Sequence, residues 1–409
     1  MSRRQFSASI AAASLGGGAD FARGQSPAKY AVVGSGVFGA WIAYRLQEAG
    51  QRVTLVDEYG PANARASSGG ESRIIRCSYG PDEVYTRMAK RSLTLWSEFF
   101  AKAGRNLLER IGVLWMAKSG NPYVEQSRQT LRKLQIPFRD LSDADLSREY
   151  PQIHVPAGTV AILEPESGAL LARQAVQAVV GSFVQNGGEY VQAAIRSPQG
   201  GGRLREIVTA NGDSIGADGF IFACGPWLGK VFPELLGERI FVTRQEVMFF
   251  GVPPGDPRFA PPRMPVWIDF SDDRGMYGFP DLESRGFKIA FDRHGPALDP
   301  DTANRIVSTD KIAEARAYAA ERFPALAGAP IVDSRVCQYE NTSNGDFLID
   351  RHPEFENVWI VGGGSGHGFK HGPAVGEYTV ARIIGAPDPP AEPRFSLGRK
   401  STEQHRAVF

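Results

Sequence analysis

Three closely spaced glycines near the start of the chain form the first pattern with a chemical meaning. Gly34, Gly36 and Gly39 have the spacing Gly-x-Gly-x-x-Gly, follow a short β-branched run and open a segment of helical character. Glycine at such positions lets the backbone approach a pyrophosphate, whose charge is stabilised by the N-terminus of the following helix. Asp57, about 20 residues further on, ends the next hydrophobic run and can accept hydrogen bonds from ribose hydroxyls. The pattern predicts a dinucleotide site but does not distinguish FAD from NAD.

The cysteines carry a weaker signal. Cys77, Cys224 and Cys337 show no C-x-x-C pairing, so the sequence predicts neither a disulfide framework nor a thiolate zinc site. No group of histidines, cysteines and carboxylates has the spacing of metal ligands, so we predict no metal. A catalytic or cofactor role for a single cysteine stays open.

Length and charge limit the classes of function. The chain has 409 residues and 42% hydrophobic content, which is enough for two or three domains. Its 46 basic and 45 acidic residues give a net charge of +1, which argues against nucleic acid or an anionic membrane surface as the main partner. No uncharged run reaches the roughly 18 apolar residues of a membrane-spanning helix.

The elements that must position these residues follow from hydrophobic periodicity. Strands over 30–33 and 53–56 with a helix over 40–49 form a β-α-β unit of the length that dinucleotide-binding folds use. Further helices are predicted over 84–103, 170–186, 302–323 and from about Pro373. Further strands are predicted over 113–117, 219–225, 244–250, 266–270, 276–279, 286–291 and 358–362.

This order of elements predicts the α/β fold class, in a two-domain arrangement of α+β character. We expect a Rossmann-type nucleotide-binding domain made of the discontinuous segments 29–106, 157–242 and 332–390. An antiparallel-sheet substrate domain is expected from 107–156 and 243–331, and a C-terminal tail from 391–409. The active site is expected between the two domains.

The N-terminus differs from the rest of the chain. Residues 2–6 read Ser-Arg-Arg-Gln-Phe, and residues 7–19 are small and uncharged, as in a twin-arginine export signal. Residues 20–22, Asp-Phe-Ala, lack the first small residue of an A-x-A cleavage site. We therefore predict that residues 1–28 are a twin-arginine signal directing a periplasmic protein. The alternative is a disordered leader on a cytoplasmic protein.

Six blocks of sequence point to a known family. They are 31–39, 72–79 (SRIIRCSY), 225–228 (GPWL), 277–288 (YGFPDLESRGFK), 337–350 (CQYENTSNGDFLID) and 364–370 (GSGHGFK). From about residue 29 to residue 385 the chain resembles the family of monomeric sarcosine oxidase and N-methyltryptophan oxidase, within the D-amino-acid-oxidase-like flavoproteins. The resemblance implies that the dinucleotide is FAD and that the nucleotide-binding domain is an FAD-binding domain.

The resemblance also implies roles for residues of the substrate site. Cys337 stands where the family joins a cysteine sulfur to the flavin 8α-methyl carbon. Arg76 and Lys370 match two cations that bind the substrate carboxylate, for which a guanidinium fork and an ammonium point charge are suited. Tyr277 and Tyr339 match tyrosines that line the substrate cavity.

Three further residues are implied to lie near the flavin ring and to act in catalysis. Lys288 matches the lysine associated with the reaction of reduced flavin with O₂, where a fixed positive charge stabilises developing negative charge. Arg73 matches a second cation near the ring, and His367 belongs to the Gly-His-Gly-Phe-Lys loop. The full set of expected cofactor-binding residues is Gly34, Gly36, Val37, Phe38, Gly39, Asp57, Glu58, Arg73, Ile74, Gly225, Trp227, Cys337, Gly364, Gly366, His367, Gly368, Phe369 and Lys370.

One position departs from the family pattern. Four residues after Lys288 the family has an active-site histidine, whereas this chain has Asp292. A carboxylate there repels a substrate carboxylate and can pair with an amine or a basic side chain, which argues against sarcosine as the substrate. Gly295 and Pro296 indicate that the strand is ending, so we do not expect His294 to replace the missing histidine.

The expected reaction is oxidation of a secondary or N-methyl amino acid. Hydride passes to the flavin, the imine is hydrolysed, and O₂ is reduced to H₂O₂. We expect the protein to be a monomer. A dehydrogenase of the same fold that passes electrons to a quinone or a carrier protein is the nearest alternative. An NAD-dependent dehydrogenase and a non-catalytic flavin-binding protein are the remaining ones.

Overall fold

The computed structural model describes residues 27–405, so the export prediction falls on residues outside this range. The strands are β1 (Lys29–Val33), β2 (Arg52–Asp57), β3 (Ser72–Ile75), β4 (Leu108–Glu109), β5 (Val113–Lys118), β6 (Arg139–Leu141), β7 (Thr159–Glu164), β8 (Gly168–Leu171), β9 (Glu189–Gln192), β10 (Glu206–Val208), β11 (Ser214–Gly216), β12 (Gly219–Phe222), β13 (Phe241–Phe250), β14 (Val266–Phe270), β15 (Met276–Phe279), β16 (Phe287–Phe291), β17 (Ile331–Asn341), β18 (Leu348–Arg351) and β19 (Val358–Gly362). The α-helices are α1 (Val37–Glu48), α2 (Glu83–Ala103), α3 (Pro122–Lys133), α4 (Asp143–Glu149), α5 (Ala172–Gln185), α6 (Leu228–Val231), α7 (Pro233–Leu236), α8 (Thr309–Arg322) and α9 (Gly372–Ile383).

A six-stranded sheet carries the predicted β-α-β unit. Its strand order is β18-β19-β12-β1-β2-β9, and every pair is parallel except β18 with β19. The central strands are buried on both faces, as parallel sheets require, and α1 packs against both α5 and α9. Ligands of such sheets bind at the carboxyl ends of the strands, and here β1 and β2 end next to Gly34 and at Asp57.

An eight-stranded sheet forms the second layer. Its order is β17-β13-β16-β15-β14-β5-β7-β6, antiparallel throughout except for the parallel pair of β14 and β5. Trp267, Phe287 and Tyr318 are fully buried in its core, where α8 covers one face. A small sheet of order β3-β8-β4 lies beside these two.

Two strands lie in a different sheet from the one that the predicted domain boundaries imply. β7 and nearly all of β17 fall in segments assigned to the nucleotide-binding domain, but both pair within the eight-stranded sheet. β17 pairs with β13 from Phe241↔Asn341 to Phe250↔Ile331. Such pairing is between distant parts of the chain and leaves no mark in local composition.

Two predicted helices begin too early, and one begins too late. Residues 170–171 belong to β8, because Leu170 and Leu171 pair with β3, and α5 starts at Ala172. Residues 302–308 are not helical, because the Asp299 and Asn304 side chains accept from backbone amides of residues 301, 302 and 306 and form local turns instead. The first helix begins at Val37 rather than at residue 40.

Among the helices of residues 27–405, none combines the length and the apolar character needed to cross a bilayer.

Candidate active site

A cavity of about 360 Å³, here called the dinucleotide cavity, opens at the carboxyl ends of β1, β2, β12 and β19. Gly34 has φ +103°, and a Cβ on it would lie 2.3 Å from the Ala223 carbonyl oxygen. A Cβ on Gly39 would lie 1.8 Å from the Gly34 carbonyl oxygen. Only glycine at these two positions lets the turn, β12 and α1 pack this closely.

The N-terminus of α1 faces this cavity. Gly36 is its N-cap and has no capping side chain, while the amide of Val37 donates to Ser68 Oγ at 3.0 Å. The positive end of a helix dipole suits a phosphate, and Gly36, the N-cap residue, has no side chain that would block the approach. The turn is therefore built as the glycine spacing predicts.

Asp57 stabilises the loops around the cavity and also lines the cavity wall. One carboxylate oxygen accepts from the amide of Ser35 at 2.7 Å, and the other accepts from the amides of Tyr59 and Gly60 at 2.9 and 2.8 Å. The carboxylate thus ties the glycine turn to the loop after β2. It also lines the dinucleotide cavity, where ribose hydroxyls are expected.

The expected cofactor residues divide into three groups. Those that line the dinucleotide cavity are Gly34, Gly36, Val37, Phe38, Asp57, Glu58, Arg73, Gly225, Trp227, Gly364, Gly366, Gly368 and Phe369. Ile74, Cys337, His367 and Lys370 line a second, smaller cavity. Gly39 lines neither, so its role is close packing rather than cofactor contact.

The smaller cavity, here called the substrate cavity, adjoins the first. Arg73, Tyr339, Gly366 and Phe369 line both cavities, so the two meet at these residues. Its apolar wall consists of Ile74, Trp115, Val247, Ile268, Phe270 and Phe279. A ligand in the substrate cavity would therefore lie beside one end of a ligand in the dinucleotide cavity.

Two buried cations stand in the wall of the substrate cavity. Lys370 Nζ donates to Tyr79 Oη at 2.9 Å and to the His367 carbonyl at 2.8 Å. The Arg76 guanidinium lies 4.1 Å from the Tyr79 ring centroid and 4.7 Å from that of Trp115. Both predicted carboxylate-binding residues are thus held rigidly in one wall.

Electrostatics links this pair to Asp292. Burial and then the charge of Arg76 hold the pKa of Lys370 well below its usual value, whereas Asp292 acts to raise it. Asp292 directly follows β16, its amide donates to the Gly275 carbonyl at 2.8 Å, and it lines the substrate cavity. His294 is not among the lining residues, in agreement with the early end of the strand.

The remaining predicted residues surround the junction of the two cavities. Tyr277 and Tyr339 approach each other with hydroxyl oxygens 3.4 Å apart, and both line the substrate cavity. Cys337 lies on β17 with its Sγ 3.4 Å from Arg73 Nη2. The His367 ring is held by Tyr79 Oη at 3.2 Å from Nδ1 and by the Gly345 carbonyl at 3.0 Å from Nε2.

Lys288 is buried beside the first residue of β3. Its ammonium donates to the Ser72 carbonyl at 3.1 Å and to Ser72 Oγ at 3.2 Å, and it lies 4.5 Å from the Phe279 ring centroid. It lines neither the dinucleotide nor the substrate cavity. Burial, and then the charge of Arg73, lower the pKa of Lys288 to about 7. A lysine with this pKa can exchange its proton near neutral pH, here beside Ser72.

Several lining residues were not predicted. Glu340 lines the dinucleotide cavity, and Gln245 and Trp115 line the substrate cavity. Glu340 stands between Tyr339 and Asn341 within the block 337–350, and its place in that block was the signal available in the sequence. Trp115 and Gln245 lie on strands with no family motif, so only the folded sheet brings them here. Within residues 27–405, no cluster of histidine, cysteine and carboxylate side chains could hold a metal ion.

Comparison with known proteins agrees with this geometry. A protein family described as FAD dependent oxidoreductases matches residues 29–382. Monomeric sarcosine oxidase from Bacillus sp. (strain B-0618) is 31% identical over 357 residues, covering 85% of this chain and 89% of that protein. N-methyl-L-tryptophan oxidase from Yersinia pestis (strain Pestoides F) is 26% identical over 378 residues, covering 90% of this chain and 98% of that protein. Among solved structures, L-proline dehydrogenase from P. horikoshii superposes with a TM-score of 0.77 at 20% identity, covering 91% and 97%, and shows the likeness of fold.

Proposed function

Because the chain belongs to the family of FAD-dependent oxidoreductases, we propose that it oxidises the C–N bond of a secondary or N-methyl amino acid. The observation that carries this proposal is the junction of the two cavities. A substrate cavity with two buried cations, Arg76 and Lys370, meets the dinucleotide cavity at Arg73 and Tyr339. The two relatives reported above are, by their names, oxidases of sarcosine and of N-methyl-L-tryptophan.

The cations orient the substrate. Arg76 offers a planar fork and Lys370 a point charge, and together they favour a carboxylate in one place in the cavity. The apolar wall then receives the substituents on nitrogen or on the α-carbon. Orientation of this kind brings the carbon that loses hydride to the side facing the dinucleotide cavity.

The substrate amine must be neutral to react, because an ammonium has no lone pair to assist the loss of hydride. Asp292 is the one carboxylate that lines the substrate cavity among the described residues. It attracts the cationic amine, or a basic group of the substrate, and offsets the positive charge of Arg76 and Lys370. The bound ammonium then releases its proton to solvent before hydride leaves. Oxidation then yields an imine, which water hydrolyses after release.

The dinucleotide cavity suits FAD. The α1 N-terminus and the Gly34 turn would hold the diphosphate, and Asp57 would hold a ribose. When bound, FAD supplies the acceptor of the hydride. Arg73, at the junction, places a fixed positive charge beside the site of reaction.

We also propose that FAD is attached covalently through Cys337. The thiol is buried at the junction, with its Sγ 3.4 Å from Arg73 Nη2. Acid precipitation should leave yellow colour in the protein pellet, and Cys337→Ser should release it to the supernatant. Cys224→Ser is the matched control, because Cys224 lines the dinucleotide cavity and should leave the attachment unchanged. Complete loss of flavin from the unaltered protein on precipitation would disprove the attachment.

For the electron acceptor we propose O₂. The protonated Lys288, held against Ser72, supplies positive charge near the site where negative charge develops on O₂. Turnover with an N-methyl amino acid should give about one H₂O₂ per substrate oxidised. Lys288→Met should slow reoxidation by O₂ and leave reduction by substrate nearly unchanged. Turnover that proceeds with an added quinone but yields no H₂O₂ would identify a dehydrogenase instead.

Two properties of the whole protein complete the proposal. We propose that it acts as a monomer, since residues of one chain form both cavities, and that the twin-arginine segment exports it already folded. A dimer in sedimentation experiments would contradict the first property. For the second, Arg3→Lys with Arg4→Lys should retain the enzyme in the cytoplasm, and a native protein found only there with Ser2 intact would refute export.

A further inference from the structure

Glu340 is a buried acid in the wall of the dinucleotide cavity that the proposed chemistry does not use. It lies on β17 beside Tyr339, is 7% exposed, and lines the cavity. Its Oε1 is buried without a hydrogen-bond partner and packs on Gly362, where a Cβ would lie 2.3 Å away. Across residues 27–405, no basic side chain forms an ion pair with this carboxyl group.

An unpaired charge in such a position is unfavourable. Moving a carboxylate out of water without a cationic partner costs several kcal/mol or more, so the group takes up a proton instead. Burial raises the pKa of Glu340 to about 7, although the amides of Gly363 and Gly364 act to lower it. At neutral pH the carboxyl group can therefore be a neutral acid, which has one hydrogen to donate.

The expected occupant of the cavity strengthens this preference. FAD carries a diphosphate, and an ionised carboxylate in the same wall would be repelled by it. Oε2 lies 4.0 Å from the position that a Cβ on Gly225 would take, and Gly225 lines the dinucleotide cavity together with Glu340. A protonated acid at this place presents a donor to the cavity.

We propose that Glu340 is a cofactor-binding residue that takes up one proton when FAD binds and donates a hydrogen bond to an acceptor atom of the dinucleotide. The proposal concerns cofactor binding alone and does not depend on which amino acid is oxidised. It implies that FAD binds more weakly as the pH rises.

Other groups nearby also titrate or carry charge. On the elements packed against Glu340 these groups are Cys224, Lys230, Arg244, Tyr339 and His367. Other parts of the cavity are lined by the titratable or charged residues Asp57, Glu58, Tyr59, Arg73 and Asp301. Cys224 is coupled to Glu340: burial, then Asp57 and Glu340, raise the pKa of its thiol, which stays neutral. All of these groups remain in a Glu340→Gln variant, so the variant separates their titration from that of Glu340.

The test is FAD binding to apoprotein carrying Cys337→Ser, so that attachment is reversible. From about pH 7 to about pH 9, the Kd measured by quenching of flavin fluorescence should rise at least tenfold with Glu340 present. With Glu340→Gln added, which keeps the donor but cannot ionise, the Kd should stay nearly constant. Equal slopes in the two proteins would overturn the proposal.

A second measurement does not depend on the folding of the Gln variant. In weakly buffered solution with a pH indicator, the Cys337→Ser protein should take up close to one proton per FAD bound at about pH 8 and close to none at about pH 6. Absence of uptake at about pH 8 would overturn the proposal. Neither experiment contains an amino acid, so failure here and failure of the oxidase proposal are distinguishable.

Discussion

Lys370 is the residue whose surroundings explain most directly how an amino acid could be held. It is 4% exposed, fixed by Tyr79 and His367, and stands near Arg76 and Asp292. A buried ammonium beside a second cation is unfavourable on its own, and a substrate carboxylate relieves that cost. Binding of the carboxylate should therefore depend on both cations.

Lys370→Met removes the charge and keeps the apolar stem. One charge-assisted contact is worth about 1.5–3 kcal/mol, so an amino-acid substrate should bind roughly ten- to a hundredfold more weakly. A carboxylate-free amine should be affected much less. Lys118→Met, at an exposed strand end, serves as the control. It should change the binding of neither the amino acid nor the carboxylate-free amine. Equal losses for the acid and its carboxylate-free analogue, measured as KM or as Kd for flavin reduction, would refute the assignment.

Asp292 should govern which amino acid is preferred. Its carboxylate lines the substrate cavity and acts electrostatically on both Arg76 and Lys370. Asp292→His replaces this fixed acid by the residue type of the family and should raise kcat/KM for sarcosine relative to the preferred substrate. Asp292→Asn keeps the size and removes the charge, so it shows whether charge alone sets the preference. An unchanged preference in both variants would exclude Asp292 from the selection of substrate.

At this scale the family motifs predicted much of the site. Arg76, Lys370, Tyr277, Tyr339 and Cys337 are brought together around one cavity, as expected. Lys288 lines neither cavity, and its expected place near the flavin ring stays a prediction. Glu340 was not predicted. Its burial without a cationic partner depends on the sheet and the loop that pack on it, which the local sequence does not specify.

At the scale of elements, the turn between β1 and α1 determines whether a dinucleotide can bind. Gly39 lies on α1 where it touches the Gly34 carbonyl, so any side chain there pushes the helix away from the turn. The same contact explains why Gly39 lines neither cavity and yet matters for binding. Its effect on FAD is exerted through the position of the helix N-terminus.

Gly39→Ala should therefore destabilise the protein and weaken FAD binding. A Cβ at 1.8 Å from a backbone oxygen forces a shift of the backbone, for which a loss of about 1–3 kcal/mol is typical. Gly181→Ala is the matched control, because Gly181 lies inside α5 and a Cβ on it would meet nothing within 4 Å. This variant should raise the free energy of unfolding by about 0.5–1 kcal/mol. Thermal unfolding and retained FAD measure both changes. Equal stability of the two variants would contradict the packing explanation.

Elements with strong local periodicity were predictable, and those set by distant partners were not. The β-α-β unit and the strands β14, β15 and β16 follow from alternation and glycine spacing. The membership of β7 and β17 in the eight-stranded sheet depends on pairing with residues far away in sequence. The late start of α8 depends on side chains that turn the preceding backbone.

At the scale of the whole molecule, the two sheets meet where the two cavities meet. The glycine turn and the ends of the parallel strands supply the dinucleotide cavity, and the eight-stranded sheet supplies most of the substrate cavity. β17 belongs to the second sheet and yet carries Glu340 towards the first cavity and Cys337 towards the second. This strand therefore lines both cavities.

The measurement that tests the proposed function most directly is anaerobic reduction of the bound flavin. The purified holoprotein is mixed, without O₂, with a panel of secondary and N-methyl amino acids, and the visible absorbance of the oxidised flavin is followed. We expect at least one member of the panel to bleach the flavin fully, and its carboxylate-free analogue at the same concentration to do so far more slowly. A flavin that dithionite reduces, but that no secondary or N-methyl amino acid bleaches, would contradict the proposal.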